Sequence, residues 1–278
     1  MNPLVSPSWL AERLAAPNVR IADASWYLPQ AGRNAKAEYA AAHIPGAVTF
    51  DIDALSDETS PWPHMLPPAP KFAAAMGELG IGDGATVVVY DGAGLYSSPR
   101  AWWMLRAMGH EKVFVLDGGL PAWRRANLPV ENTRVTPRRA AFTAKPNPSL
   151  VRSFEEVMEI VRNRTAQIVD ARGAARFFAK EPEPRPGVRG GYIPGSLNIP
   201  YTLLTNSDGT LKSPDVLRAL FAEGCVNLAS PLVTSCGSGV TAAIVMLALG
   251  VAGAGDVALY DGSWSEWGAR PEAPVETN

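Results

Sequence analysis

The chain holds two cysteines, Cys225 and Cys236, and three histidines, His43, His64 and His110. One of these five lies in a segment with the local chemistry of a nucleophile. Cys236 opens the run Cys236-Gly237-Ser238-Gly239-Val240-Thr241, after the apolar stretch 231–234 and before a helix-forming run. That order puts it at the carboxyl end of a strand, on the turn into a helix, where open α/β sheets bind ligands. A helix start leaves about four backbone N–H groups unpaired. Gly237 and Gly239 let the loop curl so that these groups face inward and form a nest for negative charge. A thiolate is favoured over a thiol in such a nest. A persulfide anion on the same sulfur would gain the same stabilisation, so the loop suits a covalent sulfur carrier.

Rival chemistries lack their residues. A cysteine phosphatase needs an arginine six residues after the cysteine to grip phosphate, and that position holds Ala242. Dithiol exchange needs a second thiol in a CxxC pair, but Cys225 lies well upstream and reads as a packed side chain. The three histidines are far apart, without HxxH or HExxH spacing, so no metal site is expected. No cofactor motif is present either. With 25 Lys+Arg against 27 Asp+Glu, the formal net charge is -2, which gives no general pull toward nucleic acid or anionic membrane. The apolar stretch 240–254 is too short to span a bilayer, and the N-terminal residues lack a secretory pattern. A reducing cytoplasm, a free thiol and a monomer or weak dimer are expected.

The elements that must position the loop occur twice. The first half reads VRIADASW (19–26), AEYAAAHIPGAVTFDI (37–52), ATVVVYDG (85–92) and KVFVLDGGLPAW (112–123). The second reads AQIVDARG (166–173), GGYIPGSLNIPY (190–201), ASPLVTSCG (229–237) and DVALYDGSWSEW (256–267), in the same order. Short β-branched runs such as 87–90, 113–116, 232–235 and 257–260 suit buried parallel strands. Between them, 97–109 has helical character with Gly109 as its stop. The fold class is therefore α/β: two tandem domains, each a mostly parallel sheet with helices on both faces. The first domain is assigned to 1–135, a Pro-rich linker to 136–149, and the second domain, with Cys236, to 150–278. The segments 56–72 and 179–191 read as long irregular loops. His43 and Tyr192 both precede Ile-Pro-Gly, so His43 reads as packing.

These motifs resemble the tandem-domain rhodanese family of sulfurtransferases, and within it the branch that uses 3-mercaptopyruvate. The resemblance spans about residues 6–275. It rests on DASW, HIPGAVTFDID, TSPWPHMLP, LYSSPRAWWMLRAMGH, VLDGG, VDAR, EPEPRPG, YIPGSLNIP, CGSGVT and YDGSWSEWG. It implies that Cys236 is the sulfur carrier and that the first domain is inert, since Asp91 takes the place repeat-equivalent to Cys236. It also implies that Arg176 and Arg185 bind the substrate's carboxylate and keto group, a task that suits a guanidinium fork. Their plain alternative is a solvated arginine paired with Glu181 or Glu183. Gly237, Gly239, Val240 and Thr241 complete the loop that holds the transferred sulfur. The resemblance further implies an Asp53–His64–Ser238 proton relay, which nothing in the spacing alone establishes.

The expected reaction passes sulfur from 3-mercaptopyruvate to Cys236, releases pyruvate, and hands the sulfur to a small thiol, thioredoxin or cyanide. Such a cycle belongs to cysteine catabolism. A thiosulfate sulfurtransferase is the near alternative; those enzymes resemble CRKGVT, with cations where this chain has Gly237 and Ser238. A non-catalytic binding module of the same fold is the more distant one.

Overall fold

The apolar runs become strands and the periodic segments become helices, twice over. In the computed structural model, which describes residues 2–277, the chain divides into two units. Unit 1 takes the chain up to Asp57, Leu66–Asn147 and Thr205–Leu211. Unit 2 takes Glu58–Met65, Pro148–Leu204 and the chain from Lys212 onward. Each unit therefore includes a segment from the other half of the sequence.

In unit 1 the order is β1 (Leu4–Val5), α1 (Pro7–Ala11), β2 (Val19–Asp23), α2 (Ala35–Ala41), β3 (Val48–Thr49), α3 (Ala69–Glu78), β4 (Thr86–Tyr90), α4 (Ser98–Ala107), β5 (Val113–Leu116) and α5 (Gly119–Arg125). The strands lie in the order β1-β5-β4-β2-β3, all parallel. Unit 2 repeats the pattern with β6 (Val151–Arg152), α6 (Phe154–Asn163), β7 (Gln167–Asp170), α7 (Ala174–Phe177), β8 (Leu197–Asn198), α8 (Pro214–Glu223), β9 (Leu232–Ser235), α9 (Ala242–Ala252), β10 (Val257–Tyr260) and α10 (Ser263–Trp267). Its order is β6-β10-β9-β7-β8, again all parallel.

The site depends on β9, the central strand of the second sheet. Val233 pairs with Ala258 on one side and Ile168 on the other. Helix α9 follows, and its residues from Ala242 to Leu249 are all buried. A helix apolar on every face is one packed on every face. Truncating Ile244, which is fully buried, to alanine is expected to cost about 2–5 kcal/mol. Opposite it, α6 is held at its start by a Ser153–Glu156 capping box, and its Phe154, Val157 and Ile160 join Trp264 and Trp267 in the core. The sulfur-bearing loop is thus mounted between two rigid elements.

Of three segments read as irregular from their prolines, two take a more definite form. The loop that begins at residue 56 ends earlier than its composition suggests, because α3 starts at Ala69 with Pro70 in its first turn, a position to which proline is well suited. The segment 179–191 is irregular throughout. The stretch 138–147 runs as a strap along unit 1. Ala140 N–H donates to Gly77 O, Asp83 N–H to Ala141 O, and Lys145 N–H to Met108 O. A Cβ on Gly77 would stand 2.8 Å from Ala140 O, and one on Gly109 would stand 2.6 Å from Lys145 O. These glycines let two backbones touch.

His43 is packed: its ring stacks on Tyr39 at 4.0 Å, and Nδ1 lies 2.7 Å from Tyr39 O. Tyr192 stacks on Phe177 in the other repeat. Cys225 is not packed. It is exposed and has a left-handed backbone, φ 59°. The chain turns sharply out of α8 there: the Cys225 N–H donates to Ala222 O, and its carbonyl accepts from Gln167 Nε2.

Candidate active site

Strand β9 delivers Cys236 at its carboxyl end, 2% exposed. The next residues bend rather than extend, Gly239 takes φ 78°, and α9 begins at Ala242. A left-handed φ favours glycine at this point. The N-cap residue Thr241 makes no side-chain cap. Among the described residues, the N–H groups of Gly237, Ser238, Val240 and Thr241 donate no hydrogen bond within the protein. Donors left open on these buried and half-buried residues suit an external acceptor, and an anionic sulfur is one. The Cys236 N–H itself donates to Ser263 Oγ at 3.2 Å. Ser263 has φ 49°, a conformation that costs a non-glycine residue roughly 1–2 kcal/mol. Its repeat counterpart is Gly119, with φ 53°.

Arg176 rests on this loop, and Arg185 is linked to it through Ser265. A Cβ on Gly237 would lie 3.2 Å from Arg176 Nη2, so the guanidinium rests on the glycine. Glu183 Oε2 accepts from Arg176 Nη2 at 2.5 Å, and Glu183 Oε1 accepts from the buried Arg172 at 2.8 Å. Arg172 also pairs with Asp170 at 2.8 Å. Burial works against the Arg172 charge, but Asp170 and Glu183 outweigh it and hold that guanidinium above its usual range. Glu183 therefore pairs with Arg176, as the plain alternative required, yet it holds that arginine against the loop rather than out in solvent. The buried Nε of Arg176 has no partner. Arg185 makes one hydrogen bond among the described residues, from Nη1 to Ser265 Oγ at 3.1 Å. Burial pulls it below its usual range, the Cys236 charge opposes that, and Arg176 adds to it. Burial, and then the Cys236 charge, push the Tyr201 hydroxyl above its usual range. The sulfur position is thus electrostatically coupled to an arginine and a tyrosine.

Ser238 and His64 are brought together in unit 2. His64 Nδ1 lies 3.1 Å from Ser238 Oγ and 3.3 Å from Ser238 O. An unprotonated Nδ1 accepts from the hydroxyl, and a protonated one donates to the carbonyl. His64 is 7% exposed and has φ 61°. Asp53 belongs to unit 1, where its Oδ2 accepts from Trp26 Nε1 at 3.0 Å.

The first repeat explains itself at the same position. Asp91 Oδ1 accepts from Ala93 N–H, and Oδ2 accepts from the N–H groups of Tyr96, Ser97 and Ser98 and from Ser98 Oγ. The carboxylate fills the amide nest that Cys236 leaves open. Glu183, Ser263 and Ser265 emerged as site-building residues only in three dimensions. The one sequence signal for the serines was their place in GSWS, where the first repeat has GGLP. Among the described residues, no cluster of His, Cys, Asp and Glu could hold a metal ion.

Two parallel five-stranded sheets in tandem, one ending in an open cysteine nest and the other in a nest closed by a carboxylate, define a two-domain rhodanese. The chain belongs to that family: the Rhodanese-like domain matches residues 6–126 and again 153–270. It is 50% identical over 277 residues to a human 3-mercaptopyruvate sulfurtransferase, covering 97% of this chain and 93% of the human one. It is 51% identical over 273 residues to the 3-mercaptopyruvate sulfurtransferase of Escherichia coli K12, covering 98% and 97%. The crystal structure of SseA, a 3-mercaptopyruvate sulfotransferase from Escherichia coli, matches with a TM-score of 0.88 at 48% identity, over 95% of this chain and 99% of that one.

Proposed function

We propose that the chain is a sulfurtransferase that takes sulfur from 3-mercaptopyruvate onto Cys236. One observation carries the reading: the Cys236 loop supplies open N–H donors but no cation of its own, while two guanidiniums, Arg176 and Arg185, flank it with unused donors. That arrangement suits a substrate with anionic sulfur at one end and a planar carboxylate at the other. A compact dianion such as thiosulfate would call for cations at positions 237 and 238.

The Cys236 thiolate attacks the substrate sulfur and its carbon–sulfur bond breaks. The bond's electron pair goes to the carbon as an enolate, which Arg176 and Arg185 stabilise. The substrate's thiol proton passes to that carbon through Ser238 and His64. Pyruvate leaves, and Cys236 holds a persulfide anion within the amide nest. Asp53 is assigned to the relay on the resemblance alone, and the pH–rate profile of Asp53→Asn tests it. A thiol, thioredoxin or cyanide then removes the outer sulfur. A reducing cytoplasm fits two cysteines without a disulfide, and no helix among the described residues is long and apolar enough to cross a membrane.

Steady-state kinetics with 3-mercaptopyruvate and thiosulfate side by side test the reading. A higher kcat/KM for 3-mercaptopyruvate is expected; a higher value for thiosulfate would overturn it. Intact mass separates an enzyme from a binding module. Substrate should add the mass of one sulfur atom to the wild type and none to Cys236→Ser.

A further inference from the structure

Ser265 lies at the start of α10 and is 3% exposed. Its N–H donates to Gly237 O at 2.9 Å, and its Oγ donates to the same carbonyl at 2.5 Å. Arg185 Nη1 donates to that Oγ at 3.1 Å. The proton positions follow without choice. A guanidinium only donates and a carbonyl only accepts, so the hydroxyl between them accepts from one and donates to the other. The result is a polar chain from Arg185 through Ser265 to the Gly237 carbonyl. That carbonyl shares a peptide group with the Ser238 N–H, one of the open donors of the sulfur loop. This chain fixes where the Arg185 guanidinium sits relative to the sulfur loop.

The inert repeat provides an internal contrast. Pro121 stands where Ser265 does and has neither N–H nor hydroxyl. The Gly92 carbonyl, counterpart of Gly237 O, takes its bond directly from Arg33 Nη2 at 3.1 Å. The Arg33 fork is closed on Glu38, with Nε to Oε1 at 2.8 Å and Nη2 to Oε2 at 2.6 Å. The same carbonyl thus meets a guanidinium in both copies. In the copy with the cysteine, a hydroxyl is interposed and the rest of the fork is left for a ligand.

We infer that Ser265 is a positioning residue for sulfur loading: it holds Arg185 one hydrogen bond away from the sulfur loop, with its fork open toward the substrate carboxylate. This rests on the mercaptopyruvate reading and adds to it a residue that touches no substrate. Ser265→Ala keeps the backbone bond to Gly237 O and removes only the hydroxyl, so the fold is retained.

The test compares wild type, Ser265→Ala, Arg185→Met and the double variant, with 3-mercaptopyruvate and with an uncharged organic polysulfide as sulfur donors. Ser265→Ala is expected to raise KM for 3-mercaptopyruvate about tenfold, the scale of a hydrogen bond to a charged group. Its loading by the polysulfide should stay within about twofold of wild type, because no carboxylate is read there. In the Arg185→Met background, the serine change should add nothing, since residues acting through one another are not additive. Unchanged KM, equal losses with both donors, or additive losses in the double variant each overturn the inference. A wild type that loads from the polysulfide but not from 3-mercaptopyruvate removes the functional reading, and this inference with it. An active wild type with a neutral Ser265→Ala removes only the role of Ser265.

Discussion

The guanidinium of Arg176 lies against Gly237, so close that a side chain on the glycine would begin 3.2 Å from Nη2. The residue after the nucleophile is small because an arginine occupies the space where its side chain would point. Gly237 does not take a left-handed backbone, so its role is this close approach. Gly237→Ala should therefore leave thermal stability nearly unchanged while moving Arg176 by a few tenths of an ångström. A misplaced binding group is costly, and KM for 3-mercaptopyruvate should rise about tenfold. A melting temperature lowered along with an unchanged KM would show that the glycine serves the fold alone.

Asp91 accepts five hydrogen bonds and is fully buried. Asp91→Ala leaves those donors without an acceptor, at a cost of about 3 kcal/mol or more. Asp91→Asn should cost less, since its oxygen can serve the four donors at Oδ2, although its amide would then face the Ala93 N–H. Denaturant unfolding should rank the three proteins in that order. Sulfur loading of Cys236 in the folded fraction should survive both changes. An Asp91→Ala protein as stable as wild type would refute the idea that the carboxylate satisfies the nest.

His110 reports on the strap. It is 6% exposed, its Nε2 has no partner, and its ring lies 5.7 Å from that of Phe142 on the strap. Burial holds its pKa below the usual histidine range. A base with a lowered pKa binds fewer protons folded than unfolded, so stability rises with pH. The contribution is complete above the unfolded value of about 6.5 and fades as pH falls through it. Wild-type stability should therefore drop between about pH 7 and pH 5, and His110→Phe should flatten part of that slope. Equal slopes for the two proteins would deny His110 this part.

Much of this was legible from residue pattern. Four apolar runs, 87–90, 113–116, 232–235 and 257–260, coincide with strands or all but one residue of one, because burial on both faces leaves a continuous apolar signature. The repeat also gave the position of Cys236 and its pairing with Asp91. Long-range polar contacts left no such trace. His64 comes from the first half of the sequence but packs in unit 2, and no periodicity marks a segment that crosses over. The role of Glu183 depends on two arginines, Arg172 and Arg176, one two and one six residues beyond the end of the strand that precedes them, and both pair with it. Ser265 could be read as one more residue of a helix start until its three bonds were seen. The exposure of Cys225 was hidden too, since a left-handed turn after a helix can release a side chain that composition would bury.

The two arginines differ in how they are held, and that difference predicts how each should fail. Arg176 is gripped by Glu183, so its position is fixed, and its buried Nε has no partner. Arg185 is tethered by one hydroxyl and keeps most of its fork. Arg185→Lys retains charge but loses the fork, so mercaptopyruvate binding should weaken by about tenfold rather than vanish. Arg176→Lys places a charge beside Glu183 but removes the donor at Nε, and the lysine is drawn to the carboxylate instead. In the proposed reaction that donor serves the enolate formed as the carbon–sulfur bond breaks, so Arg176→Lys should lower kcat more than it raises KM. Single-turnover loading measured against substrate concentration separates the two effects. If both variants changed KM alone, the arginines would serve only to bind the carboxylate, and stabilisation of the enolate would have to come from the amides of the loop.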